Sequence, residues 1–583
     1  MEKILTVPEE LKDGESVYCT GNEYISVSEI GCDGTIRTVS HLRESTLSLI
    51  EYSGAALLSI LLDGNTVPCG EHRYIHDFIP EFCFENGDIS IVRQVYAPKG
   101  IRGFGVRCAL RAKTAHSGSL GLVFRPDDCL RTVFKPLPLS AERRFGYDSW
   151  SDTVYTELVC GTGISALAIG AKDCRKSFED GVLFLDREYS LYAGEELVVD
   201  FHISLGCELD GARLANVDMR RRSAALFTST AEGLDKAHVP LPDSALEQRV
   251  NLNLAYCLNF SMGRTLDTDR LVLLTSRSAR YYVSGAYWAR DSMLWAFPAV
   301  LRADRRLARE ALIVACTTYL KHGAEHALYI NGVSLYPGFE LDQLVAPVLA
   351  LERDVRVTGD ESILELPEIK NALLFTLDEI SLRRDEDTGL FSTELSPSDD
   401  PCEHPYLTYD NYLCLAALRF MNGQLGGLDG VIETLESALR MHCVKDGVFL
   451  WACDGKGGGE MYDNPPGSLV LIPYYGGCAK DDPVWLNTVR LYFSKDNPWY
   501  TENGVLFGEG CEHAPAPWPM SLCNLLLSCG KDSRVFAALA AMEMDNGIAC
   551  ETVRPDSGKA CTGAAFATFA GFYANAVIEC YED

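Results

Sequence analysis

A chain of 583 residues is too long for one ordinary hydrophobic core, so two domains are expected. Its 47% hydrophobic and 10% aromatic content describes a globular protein, and its formal charge of −30 argues against nucleic acid and against an anionic membrane surface as partners. A neutral substrate feels no such penalty.

The opening stretch, Met1 to Gly14, has no apolar core of signal-peptide length, and no run reaches about 18 apolar residues, so export and membrane spans are not expected and a cytoplasmic setting is. The 22 cysteines are then expected as thiols, most of them small buried apolar residues. They form no Cys-x-x-Cys pair and histidines number only 11, so no metal centre is expected. No Walker loop, dinucleotide fingerprint or Gly-x-Ser-x-Gly elbow is present, and no cofactor is expected.

Residues 1–206 read as strands. Phe104–Arg111 alternates apolar and polar, and Leu197, Val199, Phe201, Ile203 and Leu205 share one face of a second strand. Asp33-Gly34, Asp63-Gly64 and Asn86-Gly87 are hairpin dipeptides, and the whole predicts a large antiparallel β-sandwich. The basic segment 131–144, with Arg131, Lys135, Arg143 and Arg144, is expected as a solvated loop or a domain-interface patch. Residues 207–242 read as a linker containing a helix over 210–225, stopped by Pro240-Leu-Pro242, with Asp243 or Ser244 capping the next helix.

From 243 to 583 the apolar period becomes helical. Helices are predicted near 243–263, 291–302, 304–322, 342–358, 361–383, 408–422, 428–442, 466–477, 483–494, 517–529, 531–545 and 560–581. Paired as antiparallel hairpins they close an (α/α) six-hairpin toroid, so the fold class expected is β-sandwich plus all-α toroid.

Five loops between these helices set carboxylates beside aromatic, Gly or Pro residues: Trp288-Ala-Arg290-Asp291, Gly338-Phe-Glu340-Leu-Asp342-Gln343, Ser396-Pro-Ser-Asp399-Asp400-Pro-Cys402, Gly508-Glu509-Gly-Cys-Glu-His513 with Pro517-Trp518, and Glu551-Thr-Val-Arg554. Sugars stack their C–H faces on aromatic rings, and their vicinal hydroxyls pair with forked donors and two-oxygen acceptors. Glycoside hydrolysis needs one protonated and one ionised carboxyl group across the scissile bond.

At these residues the helical half resembles glycoside hydrolase family 125, the metal-independent exo-α-1,6-mannosidases, and more distantly the six-hairpin glucoamylases and trehalases. The matching stretches are Trp288–Ser292, Phe339–Gln343, Pro397–Asp400, Asp463–Leu469 with Pro473–Gly476, Asn497–Tyr500, Trp518–Leu522 and Glu551. The resemblance implies an inverting mechanism, with the acid at Asp399 or Asp400 and the base at Glu551. It implies a terminal-sugar pocket of Trp288, Arg290, Asp291, Glu340 and Asp342; Glu509, His513 and Trp518 are further candidates from the loop before 522. The family's Arg before Pro-Ser-Asp-Asp is Ser396 here, its His before the base is Cys550, and its Arg near the C-terminus is Gly563. The substrate expected is a neutral α-linked oligosaccharide, mannoside first and glucoside second. The N-terminal sandwich looks like the one preceding bacterial glucoamylase-type and disaccharide-phosphorylase toroids, which keeps an inverting phosphorylase as a second reading and a non-catalytic sugar-binding protein as a third.

Overall fold

The computed structural model describes residues 17–582; the opening stretch on which the expectation about export rests lies outside them. The first part is a sandwich of a ten-stranded and an eight-stranded antiparallel sheet. Gly103–Ala112 and Glu196–Gly206 pair in the eight-stranded sheet, with Val106 opposite Phe201 and Cys108 opposite Val199. Their inward residues, Phe104, Val106, Phe201 and Ile203, share one core with Ile50, Tyr52, Ile60 and Leu122 of the facing sheet. The Asp63-Gly64 turn takes positive φ at both residues, 49° and 78°, as a tight hairpin requires.

The basic segment is not a loop. Asp128–Val133 and Ala141–Asp148 are strands. Arg131 and Arg143 spend their donors on backbone carbonyls of Thr46 and of Pro126 and Asp127, and Arg144 pairs with Glu142.

The expected linker is mostly one helix, α1 (Leu209–Ala237), and it lies on the outer face of the eight-stranded sheet. Asn216 Nδ2 donates to Ala168 O and His202 O at 3.0 and 2.8 Å, and Ser204 Oγ donates to Ala212 O at 2.8 Å. Glu196–Gly206 is therefore buried on both faces along its second half, which one-sided alternation does not predict.

The helices that follow are α2 (Ser244–Phe260), α3 (Phe297–Ala303), α4 (Arg305–Val314), α5 (Leu341–Thr358), α6 (Pro367–Leu382), α7 (Thr408–Leu425), α8 (Asp429–His442), α9 (Pro483–Tyr492), α10 (Pro519–Cys529), α11 (Ser533–Ala541) and α12 (Ala567–Glu582). Asp243, Asp304, Asp482 and Asp532 each cap a helix by accepting two backbone N–H bonds, a contact worth about 1 kcal/mol. A π-helix, Arg290–Ala296, leads into α3. The helix expected over 466–477 is instead two short 3₁₀ turns, Pro465–Gly467 and Leu469–Leu471. Pro465, Pro466 and Pro473 lack the N–H that an α-helix needs, and Gly476 and Gly477 add no propensity.

Six inner elements touch in sequence: Arg290–Ala296 with α3, then α5, α7, the turns at 465–471, α10 and α12. The last returns to the first and closes a ring. Around it α2, α4, α6, α8, α9 and α11 each pack on an inner partner. The inner elements all present their N-termini at one end. At the other end lies a wide cavity lined by Arg302, Arg305, Arg353, Arg356 and Arg419, cations that suit the negative C-terminal ends of these helices.

The sandwich grips the ring at the N-terminal end. Phe134 N donates to Ser284 O at 3.0 Å, and the Phe134 ring stands edge-on to Tyr336 at 4.9 Å. A side chain at Gly285 would meet Thr132 O at 2.7 Å, so that glycine is a packing requirement. Among the described residues no helix is long and apolar enough to cross a membrane.

Candidate active site

The inner N-termini surround a cleft whose lining includes Tyr281, Tyr282, Trp288, Arg290, Asp291, Ser398, Asp399, Pro466, His513, Trp518, Glu551 and Phe566. Seven of the eleven expected site residues are in that lining. Glu340, Asp342 and Glu509 are not; each is 0% exposed and lies beneath it. Asp400 is beside the lining and holds its own contacts, to Ser398 Oγ at 3.0 Å and His513 Nδ1 at 3.1 Å.

Arg290 was expected to fork onto a sugar, but both of its terminal nitrogens are already engaged, and its buried Nε lacks a hydrogen-bond partner among the described residues. Nη1 donates to Glu340 at 2.6 Å and Asp342 at 3.1 Å, and Nη2 donates to Asp399 at 2.7 Å. The π-helix that begins at Arg290 widens the turn here, a feature concentrated at functional sites. His326 also bonds Glu340 and stands 3.7 Å from Asp399. Burial alone would push the Glu340 carboxyl up, but His326 and Arg290 outweigh it and hold it below its ordinary value. Burial lowers His326, yet Glu340 and Asp399 raise it to about 9, so it stands as a second cation under the acids. Glu340 and Asp342 are thus the counter-charges that fix Arg290, and Arg290 fixes Asp399.

Asp399 sits on a turn, with its N–H donating to Ser396 O at 2.8 Å, and takes φ = 63°, a conformation uncommon for a residue with a side chain. Burial raises its carboxyl above the usual range, against the pull of His326 and Arg290.

Glu551 is 2% exposed and reaches the cleft from the loop before α12. Its Oε1 accepts from Tyr281 Oη at 3.2 Å and Tyr282 Oη at 2.5 Å, while Oε2 accepts no hydrogen bond among the described residues. Burial raises this carboxyl too, opposed by His513 and the two tyrosines. Gly563 has φ = 58°, and a Cβ there would meet Glu551 Cγ at 2.4 Å, so the missing side chain makes the space that the carboxylate occupies. Tyr281 and Tyr282 were not singled out from sequence as site residues. Their adjacency to the Trp-Ala-Arg-Asp loop was the available signal.

Trp288 is 2% exposed, and its Nε1–H has no partner among the described residues, which leaves a donor for a ligand in the cleft. Asp291 spends Oδ1 on Thr568 Oγ1 at 3.1 Å, and burial, ahead of the neighbouring charges, lifts its carboxyl to about 8. The protonated form is able to donate to a hydroxyl oxygen.

Residues 381–578 match the family model described as metal-independent alpha-mannosidase (GH125). A curated relative, the meiotically up-regulated gene 157 protein of Schizosaccharomyces pombe, is 27% identical over 216 residues, covering 33% of this chain and 42% of its own length. A Streptococcus pneumoniae metal-independent alpha mannosidase, solved in a non-productive complex with alpha-1,6-mannobiose, superposes with TM-score 0.51 at 18% identity over 62% of this chain and 99% of its own. A bacterial glucoamylase complexed with acarbose covers 99% of this chain and 96% of its own at TM-score 0.61 and 11% identity. A human-microbiome protein assigned as a kojibiose phosphorylase covers 97% and 86% at TM-score 0.63 and 10% identity. The two full-length likenesses include the sandwich; the family match lies within the helical half. Residues 381–578 are thus similar to GH125, and the chain as a whole has the fold of a six-hairpin toroid carrying an N-terminal β-sandwich.

Proposed function

We propose that this protein is an inverting, exo-acting glycoside hydrolase that removes a terminal α-linked sugar, mannose ahead of glucose, from neutral oligosaccharides. The carrying observation is that two carboxyl groups, the half-buried Asp399 and the buried Glu551, reach one cleft from different loops with different supports. Asp399 is the general acid. Arg290 holds one of its oxygens, burial favours its protonated form, and it protonates the leaving oxygen as the glycosidic bond breaks. Glu551 is the general base. Two tyrosine O–H groups stabilise its carboxylate through Oε1, and the unpartnered Oε2 takes a proton from the attacking water. Trp288 and Asp291 bind the terminal sugar, and Arg290, Glu340, Asp342 and His326 hold Asp399 in place. The mannose preference rests on the GH125 match.

Incubation with α-1,6-mannobiose and with α-linked glucobioses tests this reading. Mannose release that needs no phosphate supports it. Cleavage only in the presence of phosphate, yielding a sugar 1-phosphate, supports the phosphorylase reading that the sandwich-plus-toroid likeness keeps open.

A further inference from the structure

A second set of groups meets beside the cleft, and the proposed hydrolysis gives it no step to perform. Cys511 Sγ lies 3.6 Å from Nδ1 and 3.8 Å from Nε2 of His513, and His513 Nδ1 lies 3.1 Å from Asp400 Oδ2. One ligand atom from each of the three falls within 4.8 Å of the others. Around a tetrahedral zinc ion, with bonds of about 2.0–2.3 Å, such sulfur, nitrogen and oxygen atoms stand roughly 3.3–3.6 Å apart. The sulfur–nitrogen and nitrogen–oxygen separations are close to that spacing already. The residues come from two loops more than a hundred positions apart, so no metal-binding motif shows in the sequence.

The other cluster of this kind, His326, Glu340 and Asp399, fails on charge. The Arg290 guanidinium donates to both of its carboxylates, at 2.6 and 2.7 Å, and cannot give up its proton to make way for an ion. Asp400 has no such occupant; its one ion-pair partner among the described residues is His513.

We propose that Asp400, Cys511 and His513 form a binding site for zinc or an ion of similar softness, and that filling it switches the cleft off. The thiol and the imidazolium each release a proton to bulk water. Thiolate sulfur, ring nitrogen and carboxylate oxygen then bind the ion, so affinity rises with pH. Three protein ligands leave a fourth position, and His513 is itself part of the cleft wall that Asp399 and Glu551 also line. An ion held there, with the ligand that completes its shell, takes up room at that wall and crowds substrate out of the cleft. Magnesium, which prefers an octahedron of oxygens, does not compete. The switching rests on the reading of this cleft as the active site; the binding does not.

The test is titration of the full-length protein with Co²⁺, which reports sulfur ligation by a near-ultraviolet charge-transfer band and tetrahedral geometry by intense visible bands. Both are expected, both are abolished by Zn²⁺, and both are absent in Cys511→Ser. Asp400→Asn weakens them and serves if Cys511→Ser does not fold. In parallel, Zn²⁺ inhibits hydrolysis reversibly, with recovery on adding EDTA and no effect of Mg²⁺. Cys511→Ser keeps its basal activity and needs about 10-fold more Zn²⁺, or beyond, since losing even a residue that only supports a ligand costs that much. Absence of the thiolate band from native protein, or an identical band in Cys511→Ser, overturns the site. Binding with full activity retained overturns the switch alone. A protein that binds Co²⁺ as described but hydrolyses no glycoside upholds the site and refutes the function proposed above.

Discussion

Arg290 joins Asp399 to the floor of the ring: Nη2 donates to Asp399 at 2.7 Å, while Nη1 is held by Glu340 and Asp342. Three carboxylates share one guanidinium that is 1% exposed. Arg290→Leu leaves them buried without their partner, and loss of one member of a buried ion pair costs about 3–5 kcal/mol. The expected result is a fall in unfolding free energy of that size, read as a lowered denaturant midpoint, together with loss of activity. A variant of native stability contradicts the network.

Asp399→Asn and Glu551→Gln are each expected to lower kcat by about 10²–10⁴, the range typical of a positioned proton donor or acceptor. Asp400→Asn is expected to cost less, because Asp400 faces Ser398 and His513 rather than the cleft. Steady-state kinetics on folded variants checks the order. A larger loss in Asp400→Asn than in Asp399→Asn reverses the assignment of the acid.

Tyr282→Phe removes a hydrogen bond that favours the ionised form of Glu551. The base then holds its proton more tightly, so the acidic limb of the kcat/KM profile moves to higher pH. A shift to lower pH is the wrong sign for a Glu551 base.

Gly563→Ala asks a residue with a Cβ to adopt φ = 58° and to occupy space within 2.4 Å of Glu551. Strain of this kind costs about 1–3 kcal/mol, and here it also displaces the base. A lowered melting temperature with a larger relative loss in kcat is expected, whereas native kinetics contradict the packing.

The sandwich carries its own pH dependence. His41 and His202 are each 1% exposed, and burial lowers both to about 3 from an ordinary value of 6.5. The unfolded chain binds protons that the folded chain refuses, so their contribution is complete above pH 6.5 and is lost as pH falls toward 3. Both His202 ring nitrogens lack a partner among the described residues, so His202→Leu is expected to flatten the acid side of the stability curve. An unchanged slope contradicts this.

Much of the fold is legible in the chain because its periodicities are clean. Val199, Phe201, Ile203 and Leu205 alternate as a strand with an apolar face, and Asp243, Asp304 and Asp532 mark helix starts by the hydrogen bonds they offer. The segment 466–477 misled because its apolar run, Leu469–Ile472, outweighed the prolines that forbid a helix. The burial of the outer face of Glu196–Gly206 was hidden because it depends on α1, which reads as a charged linker. At the site, the residue types and loops were visible but not their division of labour. Arg290 beside Asp291 suggested a fork open to sugar; only in three dimensions do Glu340 and Asp342 claim it. The same holds for Cys511 and His513, whose third partner, Asp400, is remote in sequence.

The central claim is that Glu551 directs water to the face of the sugar opposite the acid Asp399. Proton NMR of the first product formed from an α-linked mannoside, followed before mutarotation equalises the anomers, tests it most directly. The β-anomer appearing first is the predicted result; the α-anomer appearing first means that configuration is retained and contradicts Glu551 as the base.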